Sequence, residues 1–446
     1  MSNVLLVASY ELGHQPLHVA EPAAAMRERG HEVRCVDLSI ESWDPDLVEW
    51  ADRVAFSAPM HTAMRIARAV IERIRSQRPD VAIACYGLYA AMATDVADRV
   101  LAGETDRALV DWIEDGAGEH ATVHLGREAS EFRPATPARD LLPPLERYAR
   151  LAIGTEERLV GYVEASHGCA HRCRHCPVPV VYDGRIRIVN PDAVLADVEQ
   201  QVAAGARHLT FGDPDFMNGV HHSLRVVRAV HEQFPELTFD CTVKVEHILR
   251  HEQVWPELAG AGCLFVVSAL ESLNDEILAR LDKGHTAADA TRAVALLRAH
   301  GIELRPSFLP FTPWTTLGDI HALLDFVADH DLVGNVDPVQ YTIRLLLPEG
   351  SLLLGHPDLA PHLGPYDADA CSYSWRAADP AVDELQTHIA TLVETRLAAG
   401  DAPVDVYRAV RGEAGLDPAR VGKVVDAPRL TESWFCCAEP TDLMRI

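Results

Sequence analysis

The chain has 446 residues, of which 48% are hydrophobic and 24% charged, a composition typical of a soluble globular protein with two or three domains. Its 40 basic and 66 acidic residues give a formal net charge of −26, which argues against sequence-independent binding to nucleic acid phosphates. The opening stretch MSNVLLVASYELG has too short an apolar run for a signal peptide or a membrane span. We therefore expect a cytoplasmic protein that binds neither nucleic acid nor membrane, with ten cysteines that are reduced and, where clustered, bind metal or act in catalysis.

Residues 1–121 alternate short apolar runs with helical patterns. The runs VLLVAS, HEVRCVDL, DRVAFSA and VAIACYG predict strands, and amphipathic stretches such as TAMRIARAVIERIRSQ lie between them. Alternating β and α units favour a doubly wound parallel sheet. The segment 122–157 that follows is rich in proline and predicts a linker.

A second alternating region spans residues 158–350. Its predicted strands begin with RLVGYVEAS and continue with RHLTFG, LTFDCTV, CLFVVSAL, IELRPSFLPF and NVDPVQYTI. About six β/α units in roughly 190 residues favour a partial parallel (β/α)6 barrel over a small flat sheet. Residues 351–446 carry helical patterns, so the predicted fold class is α/β, with a doubly wound sheet, a partial barrel and a helical C-terminal region.

The motif SHGCAHRCRHCPVP follows the first predicted barrel strand and places Cys169, Cys173 and Cys176 at C-x3-C-x2-C spacing. Loops at the carboxyl ends of barrel strands carry the chemistry of such folds, and thiolates bind zinc or iron–sulfur clusters. Three cysteines suit a 4Fe–4S cluster that leaves one iron open for substrate. The spacing alone also allows a structural zinc site with His171 or His175 as the fourth ligand.

This motif resembles the radical S-adenosylmethionine (SAM) superfamily, and the similarity extends over about residues 158–350. The resemblance implies that the three cysteines hold a 4Fe–4S cluster that cleaves SAM reductively, and that an external electron donor of flavodoxin or ferredoxin type reduces the cluster. It also implies SAM contacts within the motifs TFGDPDF, DCTVKVEHI and SALESLNDEILARLDKGHT. The implied contacts are Gly212 and Asp213 for the methionine part, Lys244 for its carboxylate, Ser268 and Glu271 for the ribose, and His175 for the adenine. Taken singly, TFGDPDF also fits a plain turn after a strand, and Glu271 also fits a carboxylate at a helix start.

The order of a doubly wound domain and a radical SAM barrel resembles the cobalamin-dependent radical SAM enzymes. The segment LHVAEPAAAMRERGHEVRCVDL is similar to the first helix and second strand of their cobalamin-binding domain. The histidines to inspect in this domain are His14, His18 and His61. The glycine-rich turn that would approach the corrin is replaced by CYGLYAAM, in which Leu88 and Tyr89 add bulk beside Gly87. Two alternatives are therefore open: a bound cobalamin, or a cobalamin-type fold kept as a scaffold without the cofactor.

The stretch SWFCCAEP resembles the signature of the CUAEP/CCAEP-tail radical SAM proteins. Some members of that family have selenocysteine at the position of Cys437, so the resemblance implies a reactive or soft-atom-binding role for Cys436 and Cys437. Two adjacent thiols can close a strained disulfide, ligate a thiophilic atom or supply a nucleophile. The alternative is a segment that only packs Trp434 and Phe435 on the barrel and buries the two thiols.

The sequence thus predicts a transferase-type radical SAM enzyme that modifies a small molecule, with the cysteine pair as redox thiols or as ligands of a soft atom. A further similarity, to the radical SAM enzyme of arsinothricin biosynthesis with its own cysteine pair, implies arsenic as that atom and transfer of the 3-amino-3-carboxypropyl group of SAM instead of its methyl group. The alternatives are a cobalamin-dependent radical SAM methyltransferase and a non-catalytic protein with a structural zinc or iron–sulfur site.

Overall fold

A computed structural model describes residues 1–103, 106–115, 121–123 and 136–432 of the protein. The described residues form two α/β domains, one around a parallel sheet near the N-terminus and one around a longer curled sheet. The predicted fold class, a doubly wound sheet followed by a partial barrel, is confirmed.

The N-terminal domain is a parallel sheet covered by helices on both faces. Its strands are Asn3–Ala8 (β1), Glu32–Asp37 (β2), Arg53–Ser57 (β3), Ala82–Tyr86 (β4), Arg99–Gly103 (β5) and Ala121–Val123 (β6). Its helices are Leu17–Glu28 (α1), Pro45–Trp50 (α2), His61–Gln77 (α3) and Asp106–Asp115 (α4). The strand order is β2-β1-β3-β4-β5-β6, and separate hydrophobic clusters lie on the two sides of the sheet. Strand β1 is apolar almost throughout because both of its faces are buried.

The second domain is built on a sheet with the parallel strands of a partial barrel at its centre. Its strands, with two short strand pairs beside it, are Arg150–Ile153 (β7), Glu156–Val163 (β8), Ser166–Gly168 (β9), Ile186–Ile188 (β10), His208–Phe211 (β11), Thr238–Thr242 (β12), Cys263–Glu271 (β13), Glu303–Phe308 (β14), Leu363–Asp367 (β15), Ser372–Trp375 (β16) and Arg429–Leu430 (β17). The main sheet has the order β14-β13-β12-β11-β8-β7-β17, and β8 and β11 to β14 pair in parallel. The pairs β9–β10 and β15–β16 are antiparallel and lie outside it.

Helices follow most of the barrel strands and fill the C-terminal part of the described chain. They are Val178–Tyr182 (α5), Pro191–Ala203 (α6), Val220–Gln233 (α7), Val245–Arg250 (α8), Trp255–Gly260 (α9), Asp275–Leu281 (α10), Ala287–Ala299 (α11), Leu317–Asp329 (α12), Pro380–Ala398 (α13) and Pro403–Glu413 (α14). Helix α11 begins at Thr286, which forms a capping box with Asp289, and it ends before Gly301, which has a φ of 73°. The predicted threonine cap and glycine stop of this helix are confirmed.

Two segments differ from the sequence-based expectation. NVDPVQYTI forms a 3₁₀ turn over Pro338–Tyr341 instead of a strand, because Pro338 has no N–H group to donate to a sheet. Within the described residues, the place of a sixth barrel strand is taken by a single parallel bridge between Phe311 and Arg344. The predicted linker 122–157 contains β7, which together with β17 extends the barrel sheet by antiparallel pairing. The domain boundaries at residues 121, 157 and 350 stay predictions.

Arg139 connects the two domains through a buried network. Its guanidinium group forms a two-point ion pair with the carboxylate of Asp197 on α6, at 2.8 and 3.1 Å. It also donates to the backbone carbonyls of Gln15, after β1, at 3.0 Å and of Tyr162, on β8, at 2.7 Å. The side chains of Arg139 and Asp197 are only 7% and 6% exposed. This network fixes the carboxyl end of β1 against the barrel.

Candidate functional site

The two parallel sheets meet at their carboxyl ends around a partly open cavity with an accessible volume of about 380 Å3. From the N-terminal domain, residues that follow β1, β3 and β4 line the cavity, among them His14, His61 and Gly87. From the barrel, all three cysteines of the predicted cluster motif line it. Ligands of parallel α/β sheets bind at this end of the strands. The cavity is therefore the candidate active site.

The three cysteines lie on a loop between β9 and α5 that is held at several points. A Cβ atom at Gly168 would overlap a neighbouring carbonyl oxygen, and its φ of 77° also suits glycine, so the sharp start of the loop requires this residue. The backbone N–H of Cys176 donates to the carbonyl of Cys173 at 3.2 Å, and that of Arg174 donates to the carbonyl of Leu281, at the end of α10, at 2.9 Å. Three thiols on one fixed loop form a donor set that fits a 4Fe–4S cluster.

The two histidines of the loop have different surroundings. The Nδ1 atom of His171 lies 3.0 Å from the Nζ atom of Lys244, and its Nε2 atom lies 3.3 Å from the Nε2 atom of His247. His175 bonds to Glu271 through Nε2 at 2.9 Å, and its buried Nδ1 atom has no hydrogen-bond partner among the described residues. The contacts of His171 speak against a role as fourth zinc ligand. Geometry alone leaves His175 open to that role, so the choice between zinc and a cluster depends on the comparisons below.

Gly212 and Asp213, the predicted methionine contacts, follow β11 directly. A Cβ atom at Gly212 would overlap the hydroxyl group of Tyr162, so glycine is needed for this ring to pack. The carboxylate of Asp213 accepts hydrogen bonds from the backbone N–H of Ala165 at 2.9 Å and from the hydroxyl group of Ser166 at 2.5 Å. Burial raises the pKa of Asp213 to about 7 against the effect of these donors. Both residues support the strand end from which the cysteine loop starts, and their contact with SAM stays a prediction.

Lys244, the predicted partner of the SAM carboxylate, lies just before α8 beside a polar cluster. Its Nζ atom is 3.4 Å from Glu246, and the Nδ1 atom of His247 lies 2.8 Å from Asp215. Burial and the ammonium group of Lys244 lower the pKa of His171 to about 4, so this imidazole is neutral at neutral pH. The sequence analysis missed Asp215 and His247 as site residues, although Asp215 stands in the quoted motif TFGDPDF. The position of Lys244 in the cavity wall supports the predicted carboxylate contact, which stays a prediction.

The two predicted ribose contacts on strand β13, Ser268 and Glu271, point in different directions relative to the cavity. Alternate residues from Phe265 to Ala269 line the cavity, and because successive side chains of a strand point to opposite faces, the buried Ser268 faces away from it. Glu271 follows an irregularity in the pairing with β14 and adopts a φ of 62°, which turns its carboxylate towards the cavity. Both ribose contacts stay predictions, and the position of Ser268 does not favour its contact.

Glu271 belongs to a buried group of three side chains. Its Oε1 atom lies 2.9 Å from the Nε2 atom of His175 and accepts a hydrogen bond from the Nζ atom of Lys283 at 3.2 Å. Although burial opposes the charged form, the charges of Lys283 and His175 lower the pKa of Glu271 to about 2. The carboxylate and the ammonium group are thus both charged at neutral pH. The sequence analysis missed Lys283 as a site residue, although this lysine stands in the segment LDKGHT at the end of a quoted motif.

The chain returns to the cavity after α14. Strand β17 pairs with β7, and both Leu430 and Glu432 line the cavity. The hydroxyl group of Tyr10 donates to the carboxylate of Glu432 at 2.7 Å. The predicted pair Cys436 and Cys437 lies outside the described residues, four and five positions beyond Glu432.

Two family comparisons cover most of both domains. Residues 163–327 match the Radical SAM superfamily, and residues 3–112 match the B12 binding domain. The sequence similarity to known proteins is lower and partial. Bacteriochlorophyllide d C-8(2)-methyltransferase from Chlorobaculum tepidum is 21% identical over 52% of this chain and 52% of its own length. Hopanoid C-3 methylase from Methylococcus capsulatus is 21% identical over 67% of this chain and 62% of its own length. The ribosomal protein uS12 methylthiotransferase RimO from Bdellovibrio bacteriovorus is 24% identical over 43% of this chain and 45% of its own length, so the matches span about half the length of these relatives.

Two solved structures share the fold over most of this chain. The cobalamin-dependent SAM radical enzyme OxsB, with aqua-cobalamin bound, superposes with a TM-score of 0.67 at 15% identity, over 89% of this chain and 67% of that chain. The radical SAM methyltransferase TsrM from Kitasatospora setae, with cobalamin and a 4Fe–4S cluster bound, superposes with a TM-score of 0.56 at 19% identity, over 74% of this chain and 71% of that chain. At these identities the likeness establishes the fold.

These findings decide several sequence-based predictions. The radical SAM domain and the cobalamin-binding-like domain are confirmed, and the radical SAM match carries with it a 4Fe–4S cluster and SAM as cofactors. The methyltransferase and methylthiotransferase relatives are consistent with an enzyme of transferase type, which stays a proposal. Membership in the CUAEP/CCAEP-tail family is not decided. Among the described residues, none of the helices combines the length and apolar character that crossing a bilayer would require.

Proposed function

Because the chain combines a B12-binding domain with a radical SAM domain, we propose that it is a cobalamin-dependent radical SAM methyltransferase that acts on a small molecule. One observation carries the proposal: the cysteine loop and the carboxyl edge of the N-terminal sheet line the same cavity. Bound there, the cluster would supply the electron that cleaves one SAM molecule to methionine and an adenosyl radical, and cobalamin would carry the methyl group of a second SAM molecule. The cysteine loop would hold the cluster, and the residues at the N-terminal edge of the cavity would hold cobalamin.

The residues at the N-terminal edge of the cavity fit a corrin in part. Tyr89 and Leu88, whose bulk was expected to crowd a corrin face, both line the cavity, although Tyr89 is only 6% exposed and packs in a hydrophobic cluster of the N-terminal domain. Gly87 keeps a φ of 105° and lies against the backbone of Ala58, so the turn after β4 carries no side chain at this point. His61 lines the cavity at the start of α3, and burial together with the nearby Arg65 lowers its pKa to about 4. It is thus a neutral imidazole, the form that binds a metal.

The radical SAM side of the cavity has the groups to bind and orient SAM. Lys244 supplies a cation for a carboxylate, and Asp215 supplies a buried carboxylate for an ammonium group beside the cysteine loop. Asp213 and Ser166 hold the strand end from which that loop starts. His175 is held by Glu271, so its ring has a fixed orientation at the third cysteine. The order of these groups along the cavity wall supports SAM binding next to the three thiols.

The products made from SAM test this proposal. We expect the reduced, cobalamin-loaded chain to form S-adenosylhomocysteine from the SAM molecule that loses its methyl group, and 5′-deoxyadenosine and methionine from a second SAM molecule that the cluster cleaves. Without cobalamin, it should form at least about tenfold less S-adenosylhomocysteine. The measurement is quantification of nucleoside products by liquid chromatography. Formation of 5′-methylthioadenosine instead, above all with trivalent arsenic present, would contradict methyl transfer and favour transfer of the 3-amino-3-carboxypropyl group.

We further propose that Cys436 and Cys437 reach this cavity and bind or reduce a soft atom of the substrate. The support is the position of Glu432 in the cavity wall, because an extended residue spans at most about 3.6 Å and Cys436 therefore stays within roughly 14 Å of it. A pair of adjacent thiols suits a thiophilic atom such as trivalent arsenic.

A Cys437→Ala variant tests the pair. With the cluster in place, so that the three loop cysteines are occupied, we expect trivalent arsenic to bind at least roughly tenfold more weakly than to the wild-type chain, because one of two adjacent thiolates is lost. Titration followed by ultraviolet absorbance measures this. A Cys35→Ala variant, with the change on β2, is the matched control and should bind like the wild type. Equal binding by the Cys437→Ala variant would reduce the pair to a packing role.

A further inference from the structure

We propose that Lys283 sets the reduction potential of the iron–sulfur cluster, and that Glu271 and His175 hold its ammonium group beside the three cysteines. The proposal deepens the proposed function and rests on its cluster, but it depends neither on cobalamin nor on methyl transfer.

The side chain of Lys283 is buried in the cavity wall of the described structure. It is 4% exposed and lines the cavity together with Cys173 and Cys176. Only three of the chain's 40 basic residues are lysines, and two of them, Lys244 and Lys283, lie in the cavity wall. A lysine carries a compact point charge, whereas an arginine is larger and spreads its charge over a planar fork. The site therefore contains the residue type that places a full charge in a small space.

The ammonium group of Lys283 is held by the carboxylate of Glu271, a residue whose backbone conformation is strained. The Nζ atom of Lys283 donates to Glu271 Oε1 at 3.2 Å, and the same oxygen lies 2.9 Å from His175 Nε2. Glu271 adopts a φ of 62°, a left-handed backbone conformation that is strained for a residue other than glycine. Such strain persists where the surroundings require a particular side-chain direction. Here that direction lets Glu271, at the end of β13, bond to His175, the residue that precedes Cys176.

The backbone around Lys283 also connects it to the cysteine loop. The N–H of Lys283 donates to the carbonyl of Leu278 at 3.0 Å, which closes the end of α10. The guanidinium group of Arg174, inside the cysteine loop, donates to the carbonyls of Ala279 and Arg280 in the same helix end, at 3.1 and 2.8 Å. The loop and Lys283 thus form one connected unit.

A buried positive charge in this place has a defined effect on a cluster. Burial alone favours neutral lysine, but the carboxylate of Glu271 raises the pKa of Lys283 above its usual range, so the charge persists. Reduction adds one negative charge to the cluster, and a cation nearby stabilises the reduced form more than the oxidised form. The carboxylate of Glu271 acts in the opposite sense. Removing the cation should therefore lower the reduction potential, and removing the carboxylate charge should raise it.

The test is a redox titration of the reconstituted full chain without SAM, with dithionite as the one-electron reductant and the reduced cluster followed by electron paramagnetic resonance. At the wild-type midpoint potential, we expect Lys283→Met to hold at least tenfold less reduced cluster relative to oxidised cluster, a shift of about 59 mV to more negative values for one electron. We expect Glu271→Gln to shift the midpoint to more positive values. Lys283→Arg should lie closer to the wild type than Lys283→Met.

Lys423→Met is the matched control, because it removes the charge of an exposed lysine, and its midpoint should equal that of the wild type. A general disturbance of the loop would move Lys283→Met and Glu271→Gln in the same direction, and this result, or no shift, would overturn the proposal. If Lys283→Met takes up no iron, Glu271→Gln decides alone: a more positive midpoint supports the proposal and any other value overturns it. A wild-type chain without iron would instead refute the proposed function.

Discussion

Replacing Cys173 by alanine is expected to abolish cluster binding and SAM cleavage together. Three thiolates hold a cluster of this type, and the loop offers three, so the loss of one leaves a ligand set that cannot retain it. Cys173 is 8% exposed and lines the cavity, so water does not readily replace its sulfur. We expect iron to fall from about four atoms per chain to near zero, as measured by iron and acid-labile sulfide analysis after anaerobic reconstitution.

A Cys35→Ala variant is the matched control for this loss. Cys35 is a half-buried thiol on β2, in the N-terminal domain, and it is absent from the residues that line the described cavity. The variant should retain the iron of the wild type and its SAM products. Full iron content in the Cys173→Ala variant would show that other residues hold the metal.

Replacing Arg139 by methionine is expected to lower the free energy of unfolding by about 3–5 kcal/mol, because it leaves the carboxylate of Asp197 buried without its partner. It also removes the donors to the carbonyls of Gln15 and Tyr162, which connect the N-terminal domain to the barrel. Because both domains share this network, SAM turnover should fall as well. Urea unfolding followed by circular dichroism measures the loss of stability.

Two further variants show whether the burial of the ion pair between Arg139 and Asp197 is the cause of the expected loss of stability. The ion pair between Arg228 and Glu257 is exposed, so Arg228→Met should change stability far less than Arg139→Met. Adding Asp197→Leu to Arg139→Met removes the unpaired carboxylate and should restore much of the lost stability. If Arg139→Met unfolds at the same urea concentration as Arg228→Met, the network does not connect the domains as described.

The parts of the fold that depend on local patterns were predictable from the sequence. Strand β1 is an apolar run because both faces of a parallel sheet are buried, and α11 begins and ends at a threonine and a glycine with known cap functions. The short strands β7 and β17 were missed. Strand β17 is only two residues long, and its residues Arg429 and Leu430 pair with Ala152 and Leu151, which lie 277 and 279 positions earlier. The strand predicted around Pro338 became a turn because that residue lacks a donor.

The candidate site was likewise predictable from the sequence only where it depends on a local motif. The cysteine loop is a local motif, and its spacing was sufficient to predict a metal site, whereas the preference for a cluster over zinc came from the resemblance to the radical SAM superfamily. Arg139 acts through Gln15, 124 positions away in the sequence, so no local pattern indicated it. Lys283 and Glu271 stand 12 positions apart in one quoted motif, but the motif does not show that the two side chains form an ion pair. The direction of Ser268 depends on the register of β13, which the motif alone does not specify.

The metal content of the wild-type chain, purified after growth with cobalamin and reconstituted without oxygen, tests the central claim most directly. We expect a brown protein with about four irons and about one corrin-bound cobalt per chain, because the cysteine loop and the B12-binding edge line one cavity. A colourless chain with one zinc, held by the three cysteines and His175, would contradict the claim.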